Sequence, residues 1–191
     1  MENQERRKII KDVRYKLAIH NASNNQKKKT NNLYFDKGNG QWGYVINMGF
    51  GAVLTYMMEN NLKSLIDLGA GVGYSVEVSN DMGFKAKGYE IEDKFIEEHN
   101  NIFNNNNIIK KDIMTLKTQD IKDFAVIYIY QPFRDRTLMR EFLNNLINIL
   151  VSDQIILYKN DGVKPLNDNP TLEEISNKKT EFYHELEVFK K

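Results

Sequence analysis

Ile66-Asp67-Leu68-Gly69-Ala70-Gly71-Val72-Gly73-Tyr74 decides how this chain of 191 residues is read. Ser64-Leu65-Ile66 has the character of a buried strand, and the run from Val72 to Met82 that of the helix it feeds. Between them an acidic residue, Asp67, is followed at once by a Gly-x-Gly-x-Gly turn. Glycines at 69, 71 and 73 let the backbone turn sharply and leave no side chain between the main chain and a bound nucleoside.

Glycine spacing separates two kinds of nucleoside site. Dinucleotide-binding turns want Gly-x-Gly-x-x-Gly, whose third glycine would fall at position 74, a tyrosine here. The next strand, Lys85-Ala86-Lys87-Gly88-Tyr89-Glu90-Ile91, carries Glu90 near its carboxyl end. In an open parallel sheet that end borders the ligand crevice, where a carboxylate can accept both ribose hydroxyl protons. Glu90 follows the glycine turn by about 20 residues, the usual distance of a ribose carboxylate. This feature serves either kind of site equally, and the same glutamate also reads as a solvated strand end.

The third strand is Ile108-Ile109-Lys110-Lys111, followed by Asp112-Ile113. Asp112 alone reads as a turn or helix-cap residue. The fourth strand, Phe124-Ala125-Val126-Ile127-Tyr128-Ile129-Tyr130, is β-branched and aromatic, as a central strand buried on both faces would be. It runs into Gln131-Pro132-Phe133, where proline fixes one backbone angle and offers no amide proton. A helix over residues 136–150 leads to a fifth strand, Gln154-Ile155-Ile156-Leu157-Tyr158. The alternation implies βαβ units, right-handed crossovers and helices on both faces of the sheet.

From about Leu62 to Lys159, roughly half the chain, this order resembles the class I, Rossmann-like S-adenosylmethionine (SAM)-dependent methyltransferases. Asp67-Leu68-Gly69-Ala70-Gly71-Val72-Gly73 fits that family's first motif without a gap. The resemblance implies an α/β fold and SAM as cofactor. The glycine loop (Gly69, Ala70, Gly71, Gly73) and Asp67 would hold the methionine end, Glu90 with Ile91 the ribose side, and Asp112-Ile113 the adenine. Tyr130-Gln131-Pro132-Phe133 resembles the fourth motif, of the Asn/Asp-Pro-Pro-Tyr/Phe type found in amino-methylating enzymes. There a polar side chain and a main-chain carbonyl hold the target nitrogen beside an aromatic ring. Tyr130 or Gln131 replaces the Asn/Asp and only one proline is present, so the stretch also reads as a strand-ending turn without catalytic part. The Gly-Tyr-Glu strand adds a weaker likeness to small single-domain protein lysine methyltransferases. Protein lysine, a nucleic-acid base or a small metabolite remain open as acceptor, and a non-catalytic binding or scaffold module with the same fold is the alternative.

Outside this core the sequence reads more plainly. Residues 2–20 form an amphipathic helix pattern with Ile9, Ile10, Val13 and Leu17 on one side and Arg6, Arg7, Lys8, Lys11, Arg14 and Lys16 on the other. With the polar linker to residue 32, this makes an amino-terminal extension, either a solvated helix or a basic arm for an acidic partner or RNA. Residues 33–191 are expected to form the single SAM-binding domain. Its first part, residues 33–44, is rich in aromatics and glycine, and Tyr34 and Trp42 either wall the transfer site or plug the core. A helix over residues 45–60 follows.

A net charge of +1 argues against a polybasic nucleic-acid protein, and the absence of cysteine excludes disulfides and thiolate metal sites. No metal site is expected: His20, His99 and His184 lack a second ligand at metal-binding spacing, and His99, beside Glu97 and Glu98, is expected on the surface. Neither a membrane span nor a secretory signal pattern is read, so the cytoplasm is the expected location. The carboxyl-terminal part is short for the family. A short helix over residues 172–177 and a last strand over 182–189 are expected, with a sheet of six strands or a very short sixth.

Overall fold

The computed structural model describes residues 50–133, 135–159, 173–174 and 186–191, together with Glu5, Lys8 and Asp12. Those three residues are helical and exposed. The rest of the amino-terminal extension, the aromatic stretch with Tyr34 and Trp42, His20, His184 and the loop over residues 160–169 lie outside the described residues.

The chain order is α1 (Phe50–Glu59), β1 (Ser64–Leu68), α2 (Tyr74–Asp81), β2 (Lys85–Glu90), α3 (Asp93–Phe103), β3 (Ile108–Lys110) and a 3-10 turn (Ile113–Thr115), then α4 (Thr118–Ile121), β4 (Val126–Tyr130), α5 (Arg136–Ile149), β5 (Ile155–Lys159), β6 (Glu173–Glu174) and β7 (Leu186–Lys190). The strands make one seven-stranded sheet in the order β3-β2-β1-β4-β5-β7-β6. β1 to β5 are parallel, and β7 runs antiparallel to both β5 and β6. The order reverses between β1 and β4, so a crevice opens beyond their carboxyl ends.

Side chains alternate cleanly across the central strands. Leu65, Val126, Tyr128, Ile155 and Leu157 pack with α1, α2 and α3 on one face. Ile66, Leu68, Ile127, Ile129, Ile156 and Tyr158 pack with α4 and α5 on the other. β4 buries Val126 through Ile129, as its apolar run predicts. α5 buries Met139, Phe142, Leu143, Leu146 and Ile147, the i, i+3, i+4 stripe of a core-facing helix. Asp135 starts it by accepting from the amides of Thr137 and Leu138 at 2.7 and 3.1 Å. At its far end Lys191 Nζ donates to the carbonyls of Ile147 and Leu150 at 3.1 and 2.8 Å, placing a cation on the negative helix terminus.

Two expectations need correction. Glu173 and Glu174, inside the stretch expected to be a short helix, instead pair with Lys190 and Phe189 of β7 as the two-residue β6. The free edge of β7 offers backbone hydrogen bonds that so short a helix could not match. His99 is fully buried, not exposed. It lies four residues after the buried Phe95, on the inner face of α3, and both ring nitrogens find partners there.

Candidate active site

The glycine loop bridges β1 and α2 in left-handed steps, with φ of 93° at Gly69, 56° at Gly71 and 78° at Gly73. A side chain would be strained at each. The helix therefore starts at Tyr74, two residues later than its sequence suggests, because Gly73 stands at its cap in a non-helical conformation. The amides of Gly69 and Ala70 both donate to the Tyr89 carbonyl at 3.0 Å, and the Gly73 amide donates to the Ala70 carbonyl at 2.9 Å.

β2 is shaped to receive this loop through three consecutive residues. Gly88 makes room, since a methyl built there would lie 2.4 Å from Ala70 Cβ and 2.6 Å from Ile108 Cδ1. Tyr89 supplies the carbonyl. Glu90, buried at 7% exposure, accepts the Gly71 amide on Oε2 at 2.8 Å. Its Oε1 accepts the amides of Ile91 and Glu92 at 2.7 and 2.9 Å. A Gly88→Ala substitution is expected to cost about 2–3 kcal/mol through overpacking, measured as a drop in unfolding midpoint without change in denaturant slope.

Asp67 is buried beneath the same loop at 4% exposure, and Ser75 Oγ from α2 donates to its Oδ2. Burial pushes the Asp67 carboxyl up to about 7, the Ser75 hydrogen bond opposes this, and the charge of Glu90 adds to it. The site thus holds two neighbouring buried carboxylates facing a glycine backbone.

The remaining sequence-derived residues surround this centre. Asp112 is exposed two residues beyond β3 and caps the 3-10 turn, its Oδ1 accepting the Met114 amide at 2.9 Å. It lies two residues past Lys110, the register partner of Glu90, at the same carboxyl end of the sheet. Ile91 is 43% exposed and open to contact, whereas Ile113 is part of the core. After β4, Gln131 adopts φ of 44°, a conformation that costs a non-glycine residue of order 1 kcal/mol or more. Pro132 presses on the loop, for a methyl on Gly69 would lie 2.8 Å from Pro132 Cβ. Phe133 packs edge-on against Phe142 of α5 at 5.5 Å between centroids, while Tyr130 leans on the opposite core face. The turn is therefore clamped from both sides and abuts the glycine loop.

Sequence reasoning missed Ser75, Gly88 and His99. A glycine inside a strand was the available signal for Gly88. The four-residue spacing from Phe95 was the signal for His99.

The strand order, with one antiparallel strand between β5 and β6, and the glycine loop at the switch point together define the class I, Rossmann-like methyltransferase fold. The chain has that fold. It is similar to the S-adenosylhomocysteine-bound methyltransferase PaMTH1 of Podospora anserina, with a TM-score of 0.58 and 12% identity over 92% of this chain and 87% of that one. It is also similar to the SAM-bound amino pentose methyltransferase CalS10 of Micromonospora echinaspora, with a TM-score of 0.47, 16% identity and 68% of this chain covered. A SAM-dependent methyltransferase of Clostridium acetobutylicum matches with a TM-score of 0.44 and 18% identity over 57% of this chain. The chain spans only 58% and 48% of the length of these last two. No protein-family model and no curated protein matches the sequence. Among the described residues no helix is long and apolar enough to cross a membrane.

Proposed function

We propose that this chain is a methyltransferase that uses SAM to methylate a nitrogen, on a protein lysine or another macromolecule. The observation that carries the reading is the contact of Pro132 with Gly69, which brings the acceptor-type turn against the cofactor-type loop in one crevice. The chemistry of the donor set fits SAM. Two buried carboxylates, Asp67 and Glu90, favour a ligand that brings cationic groups and hydroxyl donors. An ionised carboxylate only accepts, and Glu90, turned toward the Gly71, Ile91 and Glu92 amides, matches the hydroxyl donors of a ribose.

In this reading Asp67 and the glycine loop hold the methionine end, Glu90 the ribose with Ile91 beside it, and Asp112 with Ile113 the adenine. Bound SAM would supply a sulfonium-activated methyl group for direct displacement. The protein's task is then to align and desolvate the nucleophile, which the strained Gln131 backbone and the Tyr130 and Gln131 side chains perform. An amine acceptor attacks as the neutral base, so a lysine must first shed its proton. Intact glycines and both acids speak for catalysis over a scaffold role.

Calorimetric titration with SAM, S-adenosylhomocysteine and NAD tests the cofactor, followed by a tritiated-methyl screen of lysate proteins and RNA. Binding of both adenosyl ligands with NAD silent supports the reading, and no binding ends it. A Gln131→Gly variant should gain about 1 kcal/mol of stability by relieving strain. The same variant should lose turnover, with cofactor affinity unchanged, if Gln131 holds the acceptor.

A further inference from the structure

His99 sits behind the glycine loop with no solvent exposure and no place in the chemistry described so far. Its Nδ1 lies 3.0 Å from the Val72 carbonyl oxygen, which can only accept. Its Nε2 lies 2.8 Å from Asn105 Oδ1. The orientation of that amide is fixed by two other partners. Asn105 Oδ1 also accepts the Asn107 backbone amide at 3.0 Å, and Asn105 Nδ2 donates to Glu77 Oε2 at 3.1 Å. Turning it over would set nitrogen against an N–H and oxygen against a carboxylate. Both ring nitrogens therefore face acceptors, while a neutral imidazole has a single N–H to give.

We propose that His99 is a positioning residue which ties down the glycine loop only while its ring carries both protons, so that loop placement and adenosyl-ligand affinity follow pH. The ligand part rests on the cofactor reading above. The groups packed around the ring agree with a cation. α2 presents Glu77, whose Oε1 is 3.6 Å from Nε2 and also accepts from Asn107 Nδ2 at 2.9 Å. The segment before β3 presents Asn105 and Asn107, neither of which titrates, and β3 itself presents Ile108 beside Gly73. α3 contributes the Phe103 ring at 5.1 Å. On the loop side stand the Val72 carbonyl and Gly73, where a methyl would lie 2.7 Å from Nδ1. Nε2 faces both Asn105 Oδ1 and the Glu77 carboxylate, so the proton given up is that on Nδ1, which breaks the buried hydrogen bond to Val72 and leaves Glu77 without its counter-charge. The backbone released is the turn between Gly71 and Gly73.

The test is nuclear magnetic resonance of the isotope-labelled wild-type protein from about pH 5 to 9, alongside calorimetry with S-adenosylhomocysteine. The His99 ring nitrogens, the Val72 carbonyl carbon and the Gly73 amide should move with one common midpoint. Affinity should fall about tenfold on the alkaline side of it, the worth of one hydrogen bond. His99→Gln should lack this component of the pH profile and bind about tenfold more weakly at acid pH. Asp67→Asn should keep the component, which separates it from titration of that carboxyl. A ring that holds one state throughout, or titrates while Val72 and Gly73 stay still, overturns the proposal. These wild-type spectra decide it even where His99→Gln does not fold. Coupled ring and loop shifts without any ligand binding would uphold the positioning role and reject the cofactor reading.

Discussion

Glu90→Ala should lower affinity for S-adenosylhomocysteine by about a hundredfold or more, the largest binding effect expected of any single change. One carboxylate serves two masters. It holds the loop through the amides of Gly71, Ile91 and Glu92, and in the proposed function it also accepts from the ribose. Bonds to a charged acceptor are worth about 1.5–3 kcal/mol each, so losing loop order and ribose contact together reaches about a hundredfold or more. The variant should also lose about 1–3 kcal/mol of stability through the unpaired Gly71 amide. Glu90→Gln should rescue neither property fully. Glutamine presents one oxygen and one NH2 where both positions now face backbone N–H donors. Titration calorimetry and denaturant unfolding read the two effects separately, and unchanged affinity in Glu90→Ala would remove the ribose assignment.

Asp67→Asn should stabilise the protein at neutral and alkaline pH while weakening the ligand. The carboxyl is raised from 3.8 to about 7 by burial first, with Ser75 opposing and Glu90 adding. A raised folded-state value means that its contribution to stability is complete below about pH 4 and lost as pH rises to about 7. Over that window the unfolded chain releases the proton before the folded one does. The full difference corresponds to roughly 4 kcal/mol as an order of magnitude. Asparagine has nearly the same shape and can still accept from Ser75, yet never ionises. The two proteins should therefore unfold alike near pH 4, and the variant should lead increasingly up to about pH 7 and then level off. Thermal unfolding across that range checks this, and a gap independent of pH would show that Asp67 does not carry the cost. Weaker binding of S-adenosylhomocysteine by the more stable variant would mark Asp67 as a residue kept for its ligand.

The parts of this fold that repeat a pattern could be read from the chain. Val126–Tyr130 and Ile155–Lys159 are long apolar runs, α5 carries an unbroken helical stripe, and the glycine loop announces itself. What escaped was local and depended on partners far along the chain. β6 is two glutamates whose strand character exists only because β7 offers an edge. His99 is hidden by its neighbours Glu97 and Glu98, and its burial depends on acceptors from residues 72 and 105. The acids at 67, 90 and 112 were found by position, yet their environments differ sharply. Two are buried and one is open to solvent, a distinction set by the packing of α2 and β2 that no local motif encodes.

The bonds that join the glycine loop to β2 are made within the protein itself, through Tyr89, Glu90 and the close fit of Gly88 against Ala70. Folding has already paid the ordering entropy of this loop, so a ligand meets a finished surface and spends little on immobilising it. Such a receptacle favours quick capture over adaptive fit. It also leaves little tolerance for an altered sugar or a bulkier base, because the backbone that would have to yield is the one β2 holds in place.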